Sequence, residues 1–342
     1  MSLDPEIIAL SMITRSPDLQ GSNDWQVQLR DSIRDPAELL TLLELPPEGY
    51  SPAAGREFPF RVPRAFAARM RVGDAHDPLL RQVLPDRLET FDVAGFGADP
   101  VGELSLTDGT NLLQKYAGRA LLVMTGACAI NCRYCFRRTF PYAGNIGVRA
   151  LAGGIDTIRA DSSVSEVILS GGDPLILTDE ALSRVFSELA GIAHIRRVRI
   201  HSRLPIVLPA RLNNALLREL TTQRYPIVLV VHANHPRELD DETLGALRHY
   251  RDAGMTILNQ AVLLRGINDD AGILAQLSES LFEAGVLPYY LHQLDRVSGA
   301  AHFEVSLDRT QALQRELQAR LPGYLVPRFV REVAGEASKQ PL

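Results

Sequence analysis

From about residue 117 the chain repeats one pattern, and that repeat limits the available folds more than any other feature. Apolar, β-branched runs occur at 120–127 (ALLVMTGA), 165–172 (SEVILSGG), 196–203 (RRVRIHSR), 226–234 (PIVLVVHAN), 256–264 (TILNQAVLL) and 287–294 (LPYYLHQL). From the second onward they begin about thirty residues apart. Their apolar character is continuous rather than alternating, which suits parallel strands covered on both faces. Helical segments lie between them. TDEALSRVFSELAGI has Thr178 to cap it and acids in its first turn. PARLNNALLREL opens on Pro209, favourable at a first helical position, and DDETLGALRHYRDAG closes on Gly254. Six such units predict an α/β fold, a partial TIM barrel of (β/α)6 type; eight units would need more chain. A doubly wound open sheet is the alternative, but no GxGxxG follows the first strand.

Residues 1–110 lack this rhythm and are expected to form a mainly helical extension packed on a core of residues 111–322. In the extension, DWQVQLRDSIRDPAELLTLLEL reads as one or two amphipathic helices. The C-terminal segment, 323–342, carries one more strand-like piece, YLVPRFV. No run of eighteen apolar residues appears, and the start, MSLDPEIIALSMITRSPD, lacks a basic stretch followed by an apolar one, so neither a membrane span nor a secretory leader is expected. A net charge of −5 without a basic block argues against nucleic acid as the main partner.

The three cysteines, Cys128, Cys132 and Cys135, form CAINCRYC, a C-x3-C-x2-C motif at the carboxyl end of the first predicted strand. In a parallel barrel that end is the functional face. An odd, clustered set is unlike the even, dispersed cysteines of a secreted disulfide scaffold, so a reducing, cytoplasmic setting is expected. Thiolates suit iron–sulfur or zinc. A structural zinc takes four ligands in separated pairs; no fourth cysteine exists, and His201 or His232 is a candidate for the fourth. A 4Fe–4S cluster on three thiolates leaves one iron open to an amino and a carboxylate group.

This spacing, with Tyr134 before the last cysteine, resembles the radical S-adenosylmethionine (SAM) superfamily. The resemblance implies that the cysteines hold a 4Fe–4S cluster whose open iron binds SAM. It also implies that Ser170, Gly171, Gly172 and Asp173 of SGGDPL meet SAM, although alone that segment reads as a strand-end turn. Further motifs narrow it: CRYCFRRTFPY, RIHSRLP, HANHP, NQAVLLRGIND, YYLHQLD and GYLVP together resemble the lysine 2,3-aminomutase family across most of 110–342. HFEVS and EASKQPL are most similar to the branch that makes β-lysine for elongation factor P.

That family uses pyridoxal phosphate, which requires a Schiff-base lysine. The chain has two lysines among 36 basic residues, Lys115 and Lys339. The family's motif falls on Lys339, in AGEASKQP; a lysine so near the terminus is otherwise a solvated tail residue, and Lys115 is the fallback. By the same resemblance Arg119 is expected at the phosphate and Tyr116 at the cofactor ring. Arg137 is expected at the substrate carboxylate, with Arg138 as a substitute. Asp295 and Glu332 are expected at a distant ammonium group, and His232 and Gln260 near SAM. His232 and His235 alternatively serve as core or loop histidines. Two carboxylates disfavour a substrate with an acidic side chain. The function implied is conversion of L-lysine to β-lysine, with a reductant such as flavodoxin or ferredoxin, a functional link to elongation factor P and its ligase, and a homo-oligomeric state. The alternatives are an aminomutase for free lysine catabolism or for arginine, a radical SAM enzyme without pyridoxal phosphate, and a zinc-binding interaction protein.

Overall fold

The computed structural model describes residues 24–104, 110–143 and 146–342; the start read above, residues 1–18, lies outside the described residues. Among the described residues nine strands form one sheet in sequence order: β1 (Leu112–Leu113), β2 (Arg119–Thr125), β3 (Glu166–Gly171), β4 (Arg197–Ser202), β5 (Ile227–Val231), β6 (Thr256–Val262), β7 (Val286–His292), β8 (Arg328–Arg331) and β9 (Gln340–Pro341). Strands β2 through β8 are parallel, while β1 and β9 run antiparallel at the two edges. The sheet is an unclosed partial barrel, as the spacing of the apolar runs predicts. Val167, Leu169, Val198, Ile200, Leu229, Val230 and Val231 are all fully buried, but β4 and β6 alternate instead of staying apolar throughout, with Arg197, Arg199 and His201, and Thr256, Leu258 and Gln260, less buried than their neighbours.

Helices α5 (Val148–Ala160), α6 (Asp179–Ala190), α8 (Asn214–Thr221), α9 (Asp241–Asp252), α10 (Ala271–Glu283) and α11 (Leu307–Arg320) alternate with the strands, with a one-turn helix α7 (Leu204–Val207) after β4. The Thr178 hydroxyl caps α6 by accepting from the Ala181 N–H, and Gly254 follows α9 at φ 89°, the left-handed geometry expected of it. Pro209 does not open α8. It begins a separate turn at Pro209–Arg211, and Asn213 caps the helix through the Leu216 N–H. Proline fits both starts, and the Asn213 side chain supplies the acceptor that proline lacks.

Two differences at the ends matter for the site. A seventh parallel strand, β8, occupies the last part of YLVPRFV and pairs with β7, which covers an edge that six strands would leave open. The tail then turns back as β9 on β8, with the Leu342 N–H donating to the Phe329 carbonyl at 3.0 Å. Residues 24–104 contain four short helices, α1 (Trp25–Arg30), α2 (Pro36–Leu42), α3 (Pro52–Glu57) and α4 (Arg64–Ala67), joined by turns. Trp25, Leu39, Phe66, Met70 and Leu79 of this part share one continuous core with the barrel helices. No helix among the described residues is long and apolar enough to cross a membrane.

Candidate active site

Strand β2 ends at Thr125, and the chain there leaves the sheet to form the cysteine loop. The loop is held from two sides. From the barrel, the Gly172 N–H donates to the Thr125 carbonyl at 2.6 Å and the Asp173 N–H to the Ala127 carbonyl at 2.8 Å. A Cβ on Gly172 would lie 2.4 Å from the Ala127 oxygen, so only glycine allows this approach. From the N-terminal part, the Asn131 N–H donates to the Arg61 carbonyl at 3.1 Å, the Arg133 N–H to the Gln82 carbonyl at 2.9 Å, and Arg61 to the Cys128 carbonyl at 3.2 Å. Arg133, fully buried, pairs with the buried Glu89.

The three thiols are free and partly buried. Burial raises the Cys128 thiol well above its ordinary value, with Cys135, Asp173 and Cys132 adding to the effect. Burial and Cys132 push Cys135 up to about 11. Crowded thiols of this kind ionise readily only when a strongly cationic centre offsets their charge, so the donor set fits an iron–sulfur cluster. Among the described residues no three His, Cys, Asp or Glu side chains converge as ligands of a single metal ion. His232 bonds His201 (Nε2 to Nδ1 3.4 Å), and burial pushes it down to about 4, so the pair is neutral at pH 7.

The Asp173 carboxylate accepts from the Ser202 hydroxyl at 2.6 Å and from the N–H groups of Leu175, Arg203 and Leu204. Its side chain therefore ties β3 to the end of β4. His235 is a loop histidine whose Nδ1 accepts from the Arg237 N–H. Gln260 follows an irregularity in the pairing of β6 with β7. Arg138 is committed to Glu89 and to the Arg133 carbonyl.

The remaining predicted residues form a chain of charges. Arg137 donates through Nε and Nη2 to both Glu103 oxygens (2.7 and 2.9 Å) and through Nη1 to the Ser170 hydroxyl at 3.0 Å. Lys115 lies 3.2 Å from Glu103 and 3.4 Å from Glu332. Glu332 accepts from the Tyr116 hydroxyl and from the Lys339 ammonium, both at 2.6 Å. Burial works against the charges of Glu103 and Glu332, but their cationic neighbours outweigh it and hold both below the usual carboxylate range. Lys339 is not a free tail residue: the β8–β9 turn carries it back across Glu332 and over the Tyr290 ring, 5.9 Å from its centroid.

Asp295 follows β7, and burial pushes its carboxyl up to about 7, with Lys339 opposing and Glu332 reinforcing the shift. A cavity of about 760 Å³ opens beside Asp295 and Glu332, lined also by Phe96, Asp99, Glu304 and Arg331. Arg119 begins β2 and lies over the Tyr116 ring at 5.0 Å. It is therefore separated from the cysteines by the length of the strand, about 20 Å at roughly 3.3 Å per residue. His292 Nε2 and Arg199 Nε are buried without a hydrogen-bond partner among the described residues, which fits a barrel interior made to receive a polar ligand.

Glu103, Gln82 and Glu238 lie outside the sequence motifs, and Arg203 lies within RIHSRLP without a role assigned to it there. A buried arginine such as Arg137 requires an anion, but nothing in VGELS marks Glu103 as that anion.

The Radical SAM superfamily profile matches residues 122–276. L-lysine 2,3-aminomutase of Escherichia coli (strain K12) is 49% identical over 325 residues, covering 93% of this chain and 94% of that protein. The protein of the same name from Haemophilus influenzae is 42% identical, covering 96% and 98%. That of Clostridium subterminale is 33% identical, covering 94% of this chain and 78% of that protein. Such kinship implies a 4Fe–4S cluster, SAM and pyridoxal phosphate as cofactors, and the thiols, the lysine and the barrel lining are of the kinds these groups need. The chain belongs to the lysine 2,3-aminomutase family of radical SAM enzymes and is an isomerase.

Proposed function

We propose that this protein converts L-lysine to β-lysine by moving the amino group from the α- to the β-carbon, in a pyridoxal phosphate-dependent reaction. The carrying observation is the Glu332–Lys339 contact beside Asp295. Glu332 holds an ammonium at 2.6 Å, and a second carboxyl lies next to the same cavity. When bound, the cluster and SAM supply a 5′-deoxyadenosyl radical and pyridoxal phosphate an electron-delocalising ring. Cys128, Cys132 and Cys135 would hold three irons, with Ser170, Gly171, Gly172, Asp173, His232 and Gln260 around SAM. Lys339 would hold the cofactor aldehyde, Arg119 its phosphate and Tyr116 its ring.

Glu332 and Asp295 would pair with the ε-ammonium of the substrate, and Lys339, which the substrate amine would displace from the aldehyde, would stay close to Glu332. Arg137 binds the substrate carboxylate, which leaves the substrate stretched between a cation and two anions. That placement would fix the β-carbon relative to the radical source. The setting we infer is cytoplasmic, with a small electron-transfer protein as reductant and a homo-oligomeric assembly. Kinship with short relatives supports the elongation factor P branch, because the chain spans nearly all of the Escherichia and Haemophilus proteins but 78% of the clostridial one.

The test is anaerobic incubation of the reconstituted enzyme with SAM, pyridoxal phosphate and, separately, lysine, arginine and glutamate. β-Lysine, with its stereochemistry assigned, is the expected product. Turnover of glutamate alone overturns the two-carboxylate reading.

A further inference from the structure

Arg203 follows β4 in RIHSRLP, a segment to which the reaction above gives no part. Its backbone is fixed, because the Asp173 carboxylate accepts from the N–H groups of Arg203 (2.8 Å) and Leu204 (2.9 Å). Arg203 is 6% exposed, and its guanidinium is directed at the cysteine loop. Nη1 donates to the Cys132 sulfur at 2.6 Å, and Nη2 donates to Gln82 Oε1 at 2.6 Å and Glu238 Oε2 at 3.1 Å. The rings of Tyr134 and Phe66 flank it at 5.6 and 5.5 Å.

The residues that hold Arg203 are themselves held. Gln82 also bonds Glu238 at 3.0 Å, Asn234 at 3.0 Å and Tyr134 at 3.3 Å. Glu238 is fully buried, and its other oxygen accepts from the Asn234 and His235 N–H groups. Its charge is thus shared among several donors, whereas the guanidinium places its Nη1–H on a single sulfur. A guanidinium in this setting is a fixed cation, not one that reorients in solvent.

We propose that Arg203 is a positioning residue for the iron–sulfur centre, donating a charge-assisted hydrogen bond to the Cys132 thiolate that favours the reduced cluster. This rests on the reading that the three cysteines hold that cluster. Reduction adds one electron to a centre that already carries three thiolates. A buried cation and a hydrogen bond on one of the sulfurs stabilise the added charge and make the potential less negative. The proposal also gives residues 24–104 a part near the reaction: through Gln82 they fix the orientation of the guanidinium.

The experiment is an EPR-monitored redox titration of reconstituted protein without SAM or lysine, with iron and sulfide content measured in parallel. Arg203→Met should load its cluster but show a reduced fraction about tenfold lower at a fixed poise, a midpoint about 59 mV more negative for this one-electron couple. Arg203→Lys keeps the charge and should recover at least half of that shift; Gln82→Leu should give a smaller shift in the same direction. If Arg203→Met loads poorly, Arg203→Gln, which retains a neutral donor, carries the same tenfold expectation. A loaded Arg203→Met or Arg203→Gln that titrates within twofold of the unmodified protein overturns the proposal. Absence of iron and sulfide from the unmodified protein would overturn the cluster reading instead.

Discussion

Removing the Glu103 carboxylate tests whether the charge chain is a working part of the site. Glu103 is 4% exposed and takes two guanidinium hydrogen bonds from Arg137, itself 6% exposed. Glu103→Ala leaves Arg137 with the Ser170 hydroxyl and the more distant Gly171 carbonyl, and returns Lys115 to Glu332 alone. Breaking a buried pair on one side costs about 3–5 kcal/mol, because the remaining charge stays desolvated. Unfolding entropy of roughly 2.1 cal/mol/K per residue gives about 0.7 kcal/mol/K for 342 residues, so the melting temperature should fall by about 4–7 °C. The assay is calorimetry on cofactor-free protein, with Arg137→Met and the double variant measured beside it. The double variant removes both charges, so it should be more stable than the sum of the single losses implies, by at least about 1 kcal/mol. In the loaded enzyme Glu103→Gln should raise the KM for lysine more than it lowers kcat, since Arg137 would keep its charge but lose its fixed orientation. Simple additivity of the two losses, or a shift in melting temperature below about 1 °C, would refute the view that Glu103 supports Arg137.

The Asp295 carboxyl, pushed up to about 7 by burial, binds a cationic side chain only when ionised. The KM for lysine should therefore fall towards tenfold per pH unit from about pH 5.5 to 7 and then level off, and Asp295→Asn should flatten that profile. For the same carboxyl the folded value lies above the unfolded one, so its contribution to stability is full below about pH 4 and lost as the pH rises through about 7; Asp295→Asn should remove that part of the pH dependence of urea unfolding. Gly172→Ala should lower iron content at least severalfold, because the new methyl meets the Ala127 carbonyl and displaces the cysteine loop; full loading would contradict this. Borohydride reduction followed by mass mapping should place a pyridoxyl group on Lys339 and none after Lys339→Ala; label on Lys115 would move the assignment to the fallback lysine.

The sequence alone determined the strand and helix order, because buried parallel strands are rich in apolar residues and five of the six such runs recur about thirty residues apart. Clustered thiols and scarce lysines stand out in one dimension, whereas Arg137, Asp295 and Glu332 were singled out only through the family resemblance. The partners of these residues are decided by the tertiary structure. Glu103 lies 34 residues before Arg137, and Gln82 lies 121 before Arg203; a pair so distant leaves no local periodicity and no shared motif. The same holds for Lys339, whose place in the site depends on β9 folding back onto β8, a pairing of two residues too short to carry a pattern. Local rules govern which elements form; burial of unlike charges against one another, across long stretches of chain, decides which side chains meet.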